Sequence, residues 1–334
     1  MSYIHPLRLA GLELANNLCL APMAGYTNLP FRLIVKRMGH CGLVATEMVA
    51  AMTPAQRRAD RAFATAVAHR DEERPLAMQV YGREPELCAA CAVELQQAGA
   101  DLVDLNCGCP VRKAKQAGCG VALMREPERV GAILRAMRAV TTVPLGVKIR
   151  LGYDKNRRTG VAVARIAQDA GVDVITVHAR TGESKHGAQL DFAGLAEVRA
   201  AVDVPVIANG DMHHEDNIRR ARDEAGVDGY MIGRGAIGRP WIFAELSARF
   251  AGEPSATPDL ERRSALLHEH FALVLELYGP ERGIRIMRKY SLLYFHGQPG
   301  VRRFRDRFVR IATPEDFIRI VADYLAEARA HGAA

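Results

Sequence analysis

Cys109 is the residue whose neighbours suit it best to chemistry. It follows Gly108, precedes Pro110, and Arg112, Lys113 and Lys115 come close behind. A thiol on a glycine–proline loop can turn into a cleft, and positive charge nearby suits proton exchange at sulfur. Such a group acts as a general acid or a nucleophile. Metal binding is not expected. Cys107, Cys109 and Cys119 lack the paired spacing of common zinc sites, and Cys88 with Cys91 read as buried residues of a helix. The role of Cys107 stays open, because it depends on how far a preceding strand extends.

Lys148 and Gln79 are expected inside the mouth of a barrel, on opposite strands. A buried cation and a neutral amide suit an aromatic ring that accepts negative charge, such as a reduced flavin. Pairing of Lys148 with a barrel carboxylate would satisfy the same residue type. Gly210, and Gly233-Arg234-Gly235, allow close backbone approach, and amides at a following helix start favour an anion such as phosphate. Tight turns alone would use the same glycines.

These residues need elements to position them. Short apolar, β-branched runs recur at Leu18–Ala21, Leu43–Met48, Leu76–Tyr81, Leu102–Asn106, Leu145–Ile149, Val174–His178, Val204–Asn209 and Gly229–Gly233. Helical patterns lie between them, for example at Pro85–Ala98 and Pro127–Thr141. Eight nearly continuous apolar strands alternating with helices predict a (β/α)8 TIM barrel, of class α/β. An open doubly wound sheet is the weaker alternative, since Ala21-Pro22-Met23-Ala24-Gly25 is not the glycine fingerprint of that fold. The strand ends carry Glu47, Gln79, Asn106, Lys148, Arg150, His178, Arg180, Asn209 and Asp211, so polar groups converge on one rim.

Residues 251–258 hold two prolines among small polar residues and read as a linker. The expected division is therefore a catalytic barrel over 1–250 and an all-helical domain over 251–334. Helical patterns follow at about Leu260–Tyr278, Glu281–Phe295, Val301–Ile311 and Pro314–Ala330.

The formal net charge is +7. Nine positive residues lie between Glu281 and Arg310, against two acids, so the excess is local. Arg282, Arg285 and Lys289 share one helical face, as do Arg303, Arg307 and Arg310. A local basic patch points to a polyanion, although a solvated helix face has the same composition. The first residues show no apolar leader, no run suits a membrane span, and the odd count of seven cysteines suggests no disulfide framework. The expectation is a soluble, cytoplasmic protein.

At these positions the chain resembles the tRNA-dihydrouridine synthase family, especially its bacterial B-type branch. The resemblance runs from about Leu7 into the C-terminal helices. It rests on Ala21-Pro22-Met23-Ala24-Gly25, Asn106-Cys107-Gly108-Cys109-Pro110, Val147-Lys148-Ile149-Arg150, His178-Ala179-Arg180-Thr181, Ile207-Ala208-Asn209-Gly210-Asp211 and Met231-Ile232-Gly233-Arg234. The cysteine loop is the most specific of these, because other flavin barrels lack it. The resemblance implies FMN on Pro22, Met23 and Ala24, with Gln79 and Lys148 at its ring and His178 nearby. Asn209, Gly210, Asp211, Gly233 and Arg234 would hold its phosphate. NADPH would be the reductant, and Cys109 would protonate C5 of a uracil that takes hydride at C6. Asn106, Lys113 and Arg180 would contact the substrate, and Arg282, Arg285 and Arg288 would grip tRNA. No obligate protein partner is implied. Asn28, Ala114 and Ala179 depart from the usual Asp, Val and Gly, and the methyl of Ala179 would bear on His178.

Three other readings use some of the same residues. A flavin barrel acting on a free pyrimidine leaves the basic helices unexplained. An RNA-binding module on an idle barrel predicts no flavin. A phosphosugar aldolase or isomerase makes Lys148 a Schiff-base lysine but gives Cys109 no part.

Overall fold

A computed structural model of the chain describes residues 2–60, 62–184, 187–254 and 257–330. They divide into two compact units, Met1–Leu29 with His40–Gly233, and Pro30–Gly39 with Arg234–Ala334.

The first unit is a closed parallel barrel. A short hairpin, β1 (Leu7–Leu9) and β2 (Leu12–Leu14), precedes it. The barrel strands are β3 (Leu18–Leu20), β4 (Val44–Ala50), β5 (Leu76–Tyr81), β6 (Leu102–Asn106), β7 (Leu145–Arg150), β8 (Val174–His178), β9 (Val206–Asn209) and β10 (Gly229–Ile232). Their order around the ring is β3-β10-β9-β8-β7-β6-β5-β4. Closure between β3 and β4 comes from Leu20 N donating to Leu43 O and Gly42 N to Leu18 O, both at 2.8 Å. All eight strands anticipated from the apolar runs are present.

Leu, Val and Ile dominate these strands because both faces are covered, one by the barrel interior and one by helices. The helices include Pro85–Gln97 and Pro127–Arg138, each opened by a proline that needs no hydrogen bond there, and Phe192–Ala200, whose Asp191 cap accepts from Gly194 N at 2.8 Å. Inside, Cys19, Ala45, Ala77, Leu102, Val174, Ile207 and Met231 form the core floor, against which the hairpin packs Leu9 and Leu14. The hairpin turn puts Ala10 and Gly11 at φ 44° and 93°. The sequence pattern does not announce this hairpin, since three-residue strands are too short to show a period.

Pairing register decides which side chains meet. In the parallel ladder Gln79 lies beside Asp104, Asp104 beside Gly146, Asn106 beside Lys148, and His178 beside Asn209. Side chains alternate between faces, so Asp104 and Asn106 share one face of β6.

The second unit, among its described residues, is helical. Ile242–Ala251, Leu260–Tyr294 and Pro314–Ala330 are its main C-terminal helices. The break expected near residue 279 is there: Gly279 leaves helical geometry at φ 71°, ψ 171°, just before Pro280. Its core is aromatic, with Phe271 stacked on Phe317 at 3.8 Å and Tyr324 packed against Phe295 and Phe304. This unit begins earlier than the segment 251–258 read as a linker, of which 255–256 lie outside the described residues. The reason is aromatic packing: Trp241 meets Tyr294 edge-on at 6.0 Å, so the helix after residue 241 clusters with the C-terminal helices.

Candidate functional site

The loop that follows β6 carries Cys109, and Asn106 ties it down. Asn106 Oδ1 accepts from Gly108 N at 3.2 Å and from Cys109 N at 2.9 Å. Val121 N closes the loop from the far side, donating to Cys109 O at 3.0 Å. Gly120 makes that approach possible: it sits at φ +60°, and a Cβ there would meet Cys109 O at 2.7 Å. Cys109 is half-buried, and the other six cysteines are buried. Cys107 N donates to Lys148 O at 2.8 Å, so strand pairing runs past Asn106 and seals Cys107 in the core. Burial pushes the Cys107 thiol well above its usual range, and those of Cys88 and Cys91 to about 12, so these three behave as inert packing groups.

Beneath that loop lies a buried polar chain. Gln79 Oε1 accepts from Asn106 Nδ2 at 2.6 Å, and Gln79 Nε2 donates to Asp104 Oδ2 at 2.5 Å. Lys148 Nζ donates to Asn209 Oδ1 at 2.7 Å, and Asn209 Nδ2 to Met231 O at 2.8 Å. Gln79 and Lys148 were expected on opposite strands. They stand on β5 and β7, with only β6 between them, because ring order follows chain order. Burial lowers the Lys148 ammonium to about 7, helped by the nearby Arg150 charge and opposed by Asp104. Burial raises the Asp104 carboxyl to about 6, against its Gln79 bond and the Lys148 charge. Asp104 was not singled out from the sequence. The available signal was an acid in the middle of an apolar strand run.

The first strand leads into a tight loop of Pro22, Met23 and Ala24. Tyr26 N and Thr27 N both donate to Met23 O, at 2.9 and 3.0 Å, and Met23 N donates to Thr27 Oγ1 at 2.9 Å. Gly25 N donates to Glu47 Oε2 at 2.8 Å. Pro22 and Met23 are half-buried and Ala24 is exposed, so the loop is rigid and reachable.

Across the ring, β8 and β9 present His178, Arg180, Asn209, Gly210 and Asp211. Gly210 sits at φ +108°, and a Cβ there would meet both the His178 ring and Leu190 at 2.8 Å. Asp211 also has positive φ, 48°, and its carboxylate pairs with Arg180 at 2.6 Å. Arg180 is only 5% exposed, and its Nε donates to Ala188 O at 2.6 Å. The structure therefore uses Arg180 to clamp two loops. Arg150 does the same elsewhere, donating from Nε to Gly108 O and from a terminal nitrogen to Thr181 O, both at 2.8 Å. Ala179 is fully buried and its N donates to Asn209 O at 3.0 Å. Asn28 and Ala114 are buried as well. Gly233 has room about it, with Met23 Sδ 3.6 Å from a Cβ position.

Lys113 is exposed on the short helix Arg112–Gln116. Arg234, which opens the second unit, is exposed on a short turn. In the same unit Arg282, Arg285 and Lys289 are exposed together along one helix, with Arg282 lying 4.6 Å from the Tyr278 ring centre. Arg288 is half-buried and donates to Ile311 O at 2.7 Å. Arg303 pairs with Glu327 at 3.0 Å and Arg307 with Asp323, so the helix Pro314–Ala330 returns acids to part of the basic patch. That neutralisation is non-local, and counting charges between 281 and 310 does not reveal it.

Among the described residues, no group of three or more His, Cys, Asp or Glu could hold a metal ion. No described helix is long and apolar enough to cross a membrane.

Residues 19–329 match the family "Dihydrouridine synthase (Dus)". The chain is 36% identical over 327 residues to a tRNA-dihydrouridine synthase B of Pseudomonas aeruginosa, covering 98% of both proteins. It is 37% identical over 303 residues to the protein of the same name from Pseudomonas putida, covering 90% of this chain and 89% of that one. The fold is similar to that of an old yellow enzyme homologue from Zymomonas mobilis, with a TM-score of 0.54 at 14% identity, covering 78% of this chain and 96% of that one.

Proposed function

The chain belongs to the dihydrouridine synthase family, with relatives in its B-type branch, and on that premise we propose that it reduces uridines in tRNA to 5,6-dihydrouridine. The cofactor would be FMN, reduced by NADPH. The observation that carries this reading is the placing of Cys109, the only cysteine not buried, on a loop joined through Asn106 to Gln79.

The residues present fit a flavin. Asn209 takes one hydrogen of the Lys148 ammonium, which leaves two donors, and Gln79 keeps one N–H and one lone pair. A cation beside an amide suits a ring system that gains negative charge on reduction. Pro22, Met23 and Ala24 would support the ring, with His178 at its edge. The glycine at 210, where a side chain would strike His178, allows close approach of phosphate to the backbone, and Asn209, Asp211 and Gly233 would help to hold it.

Bound and reduced, the flavin would supply hydride to C6 of uracil. Cys109 gives its proton to C5 and regains one from solvent, so the C5–C6 double bond becomes single. Asn106 and Lys113 would contact the base or its neighbours. Arg180, buried against Asp211, would act on substrate by shaping the loop. A uridine must leave the RNA stack to reach a barrel rim, so flanking RNA needs a separate grip. The helical unit, with exposed Arg282 and Arg285, would provide it, and Arg288 would support that helix. Action on tRNA would put the work of the protein in the cytoplasm, and this reading calls for no obligate protein partner.

The test is NADPH-dependent dihydrouridine formation on unmodified tRNA, read by mass spectrometry of the digested RNA. Gain of two hydrogens at mapped uridines is the expected result. A yellow protein that oxidises NADPH and leaves tRNA unchanged would instead be a flavin reductase of free pyrimidines.

A further inference from the structure

Asp104 is a buried ionisable group of the barrel interior to which the proposed reaction gives no part. It lies mid-strand in β6, 9% exposed, and it lines a cavity of about 20 Å³ with Ala77, Leu102, Val174 and Thr176. A carboxylate is costly in such surroundings. Its neighbour across the ladder is Gly146, where a Cβ would approach Asp104 Oδ1 to 2.8 Å. A side chain is thus omitted near the start of β7, where the carboxylate needs room.

Side-chain amides can turn over, exchanging oxygen for nitrogen, and nothing in Gln79 or Asn106 alone prevents that. The ends of their chain do. An ionised Asp104 only accepts, and the backbone amides of Gly108 and Cys109 only donate. With Gln79 Nε2 turned to Asp104, Gln79 Oε1 must face Asn106, and Asn106 Oδ1 must face the cysteine loop. Turning either amide over sets donor against donor in a buried site, which costs the desolvation of both groups.

We propose that Asp104 is a positioning residue, which fixes the orientation of the Gln79 and Asn106 amides and, through them, the loop that carries Cys109. Its effect on turnover rests on Cys109 being the proton donor, but its effect on the loop does not. The two ideas therefore fail separately: loss of the donor role appears as turnover in Cys109→Ala, while the relay is read on the thiol itself.

The experiment is iodoacetamide alkylation of the native protein, with the labelled site identified by peptide mapping, since Cys109 alone of the cysteines is not buried. Asp104→Leu removes the acceptor and should speed Cys109 alkylation about tenfold, the ratio that corresponds to one lost charged hydrogen bond. Asp104→Asn keeps an acceptor oxygen for Gln79 and should stay within about twofold of the natural protein, as a neutral bond replaces a charged one. Steady-state turnover should follow the same order through kcat, with KM for tRNA unchanged. A folded Asp104→Leu with the original alkylation rate would overturn the proposal, as would Asp104→Asn behaving like Asp104→Leu. If Asp104→Leu does not fold, Gln79→Met cuts the chain one link later; it must expose Cys109 in the same way, and an unchanged rate there overturns the relay too.

Discussion

Lys148 Nζ donates to Asn209 Oδ1 at 2.7 Å, so a cation on β7 is held by an amide on β9, past the intervening strand β8. That amide is itself fixed by its bond to Met231 O, and the pair spans three strands of the rim. Burial holds the ammonium down to about 7. The folded chain therefore binds fewer protons here than the unfolded chain between about 7 and the usual lysine value of about 10.4. Below about pH 7 the site is positive and folding carries the full desolvation cost. The charge is lost as pH rises through that value, and the cost to stability then falls steadily until about 10.4, where the unfolded lysine is neutral too.

A ligand that needs the cation should feel this titration. Riboflavin lacks the phosphate of FMN, which titrates in the same range, and is the cleaner probe. Its affinity should fall as pH rises from about 6 to about 9, as the site loses its positive charge. In Lys148→Met the affinity should be weaker and level across that range. Quenching of flavin fluorescence measures both, and a level profile in the natural protein would deny Lys148 the ring contact.

Replacing Cys109 with Ala should lower dihydrouridine formation by about 100-fold or more, the usual worth of a positioned general acid. FMN and tRNA binding should persist, because the loop is held by its backbone amides rather than by sulfur. Mass spectrometry of digested tRNA gives the rate, and unchanged turnover would remove Cys109 as the donor.

Gly210→Ala tests the phosphate loop. The new methyl would meet the His178 ring and Leu190 at 2.8 Å, at a φ of +108° that alanine resists. The expected cost is about 1–3 kcal/mol of stability. Lower thermal midpoint and loss of bound FMN should appear together, by calorimetry and by absorbance of the purified protein. A variant that keeps both would show that the loop accommodates a side chain and that the glycine serves only the turn.

Much of this arrangement is legible in the sequence alone. Apolar runs such as Leu102–Asn106 and Leu145–Ile149 mark barrel strands because burial on both faces keeps most of their positions apolar. Cys109, Lys148 and Asn209 stand out because strand ends are where a barrel gathers its polar groups. What stays hidden depends on partners distant in sequence. Asp104 reads as an isolated acid until register sets it beside Gln79 and Gly146. Arg180 reads as a substrate contact until the fold brings up Asp211 and Ala188 O. Arg303 and Arg307 read as free charge until the last helix supplies Glu327 and Asp323.

That last neutralisation sharpens what should grip RNA. Arg282 and Arg285 are exposed and lie on one face with Lys289, whereas Arg288 spends a guanidinium hydrogen on Ile311 O. Replacing Arg282 and Arg285 with Ala should weaken tRNA binding and reduce the slope of log affinity against log salt by about 2, one for each phosphate that is no longer neutralised. Oxidation of NADPH by oxygen should be untouched, since neither residue belongs to the barrel. Arg288→Ala should act differently. It leaves a buried carbonyl at Ile311 without its donor and should lower stability by about 1–3 kcal/mol, with the salt slope kept. Filter binding over a salt series and a thermal melt separate the two effects. Equal salt slopes in the natural protein and the Arg282, Arg285 double variant would place the RNA grip on another surface.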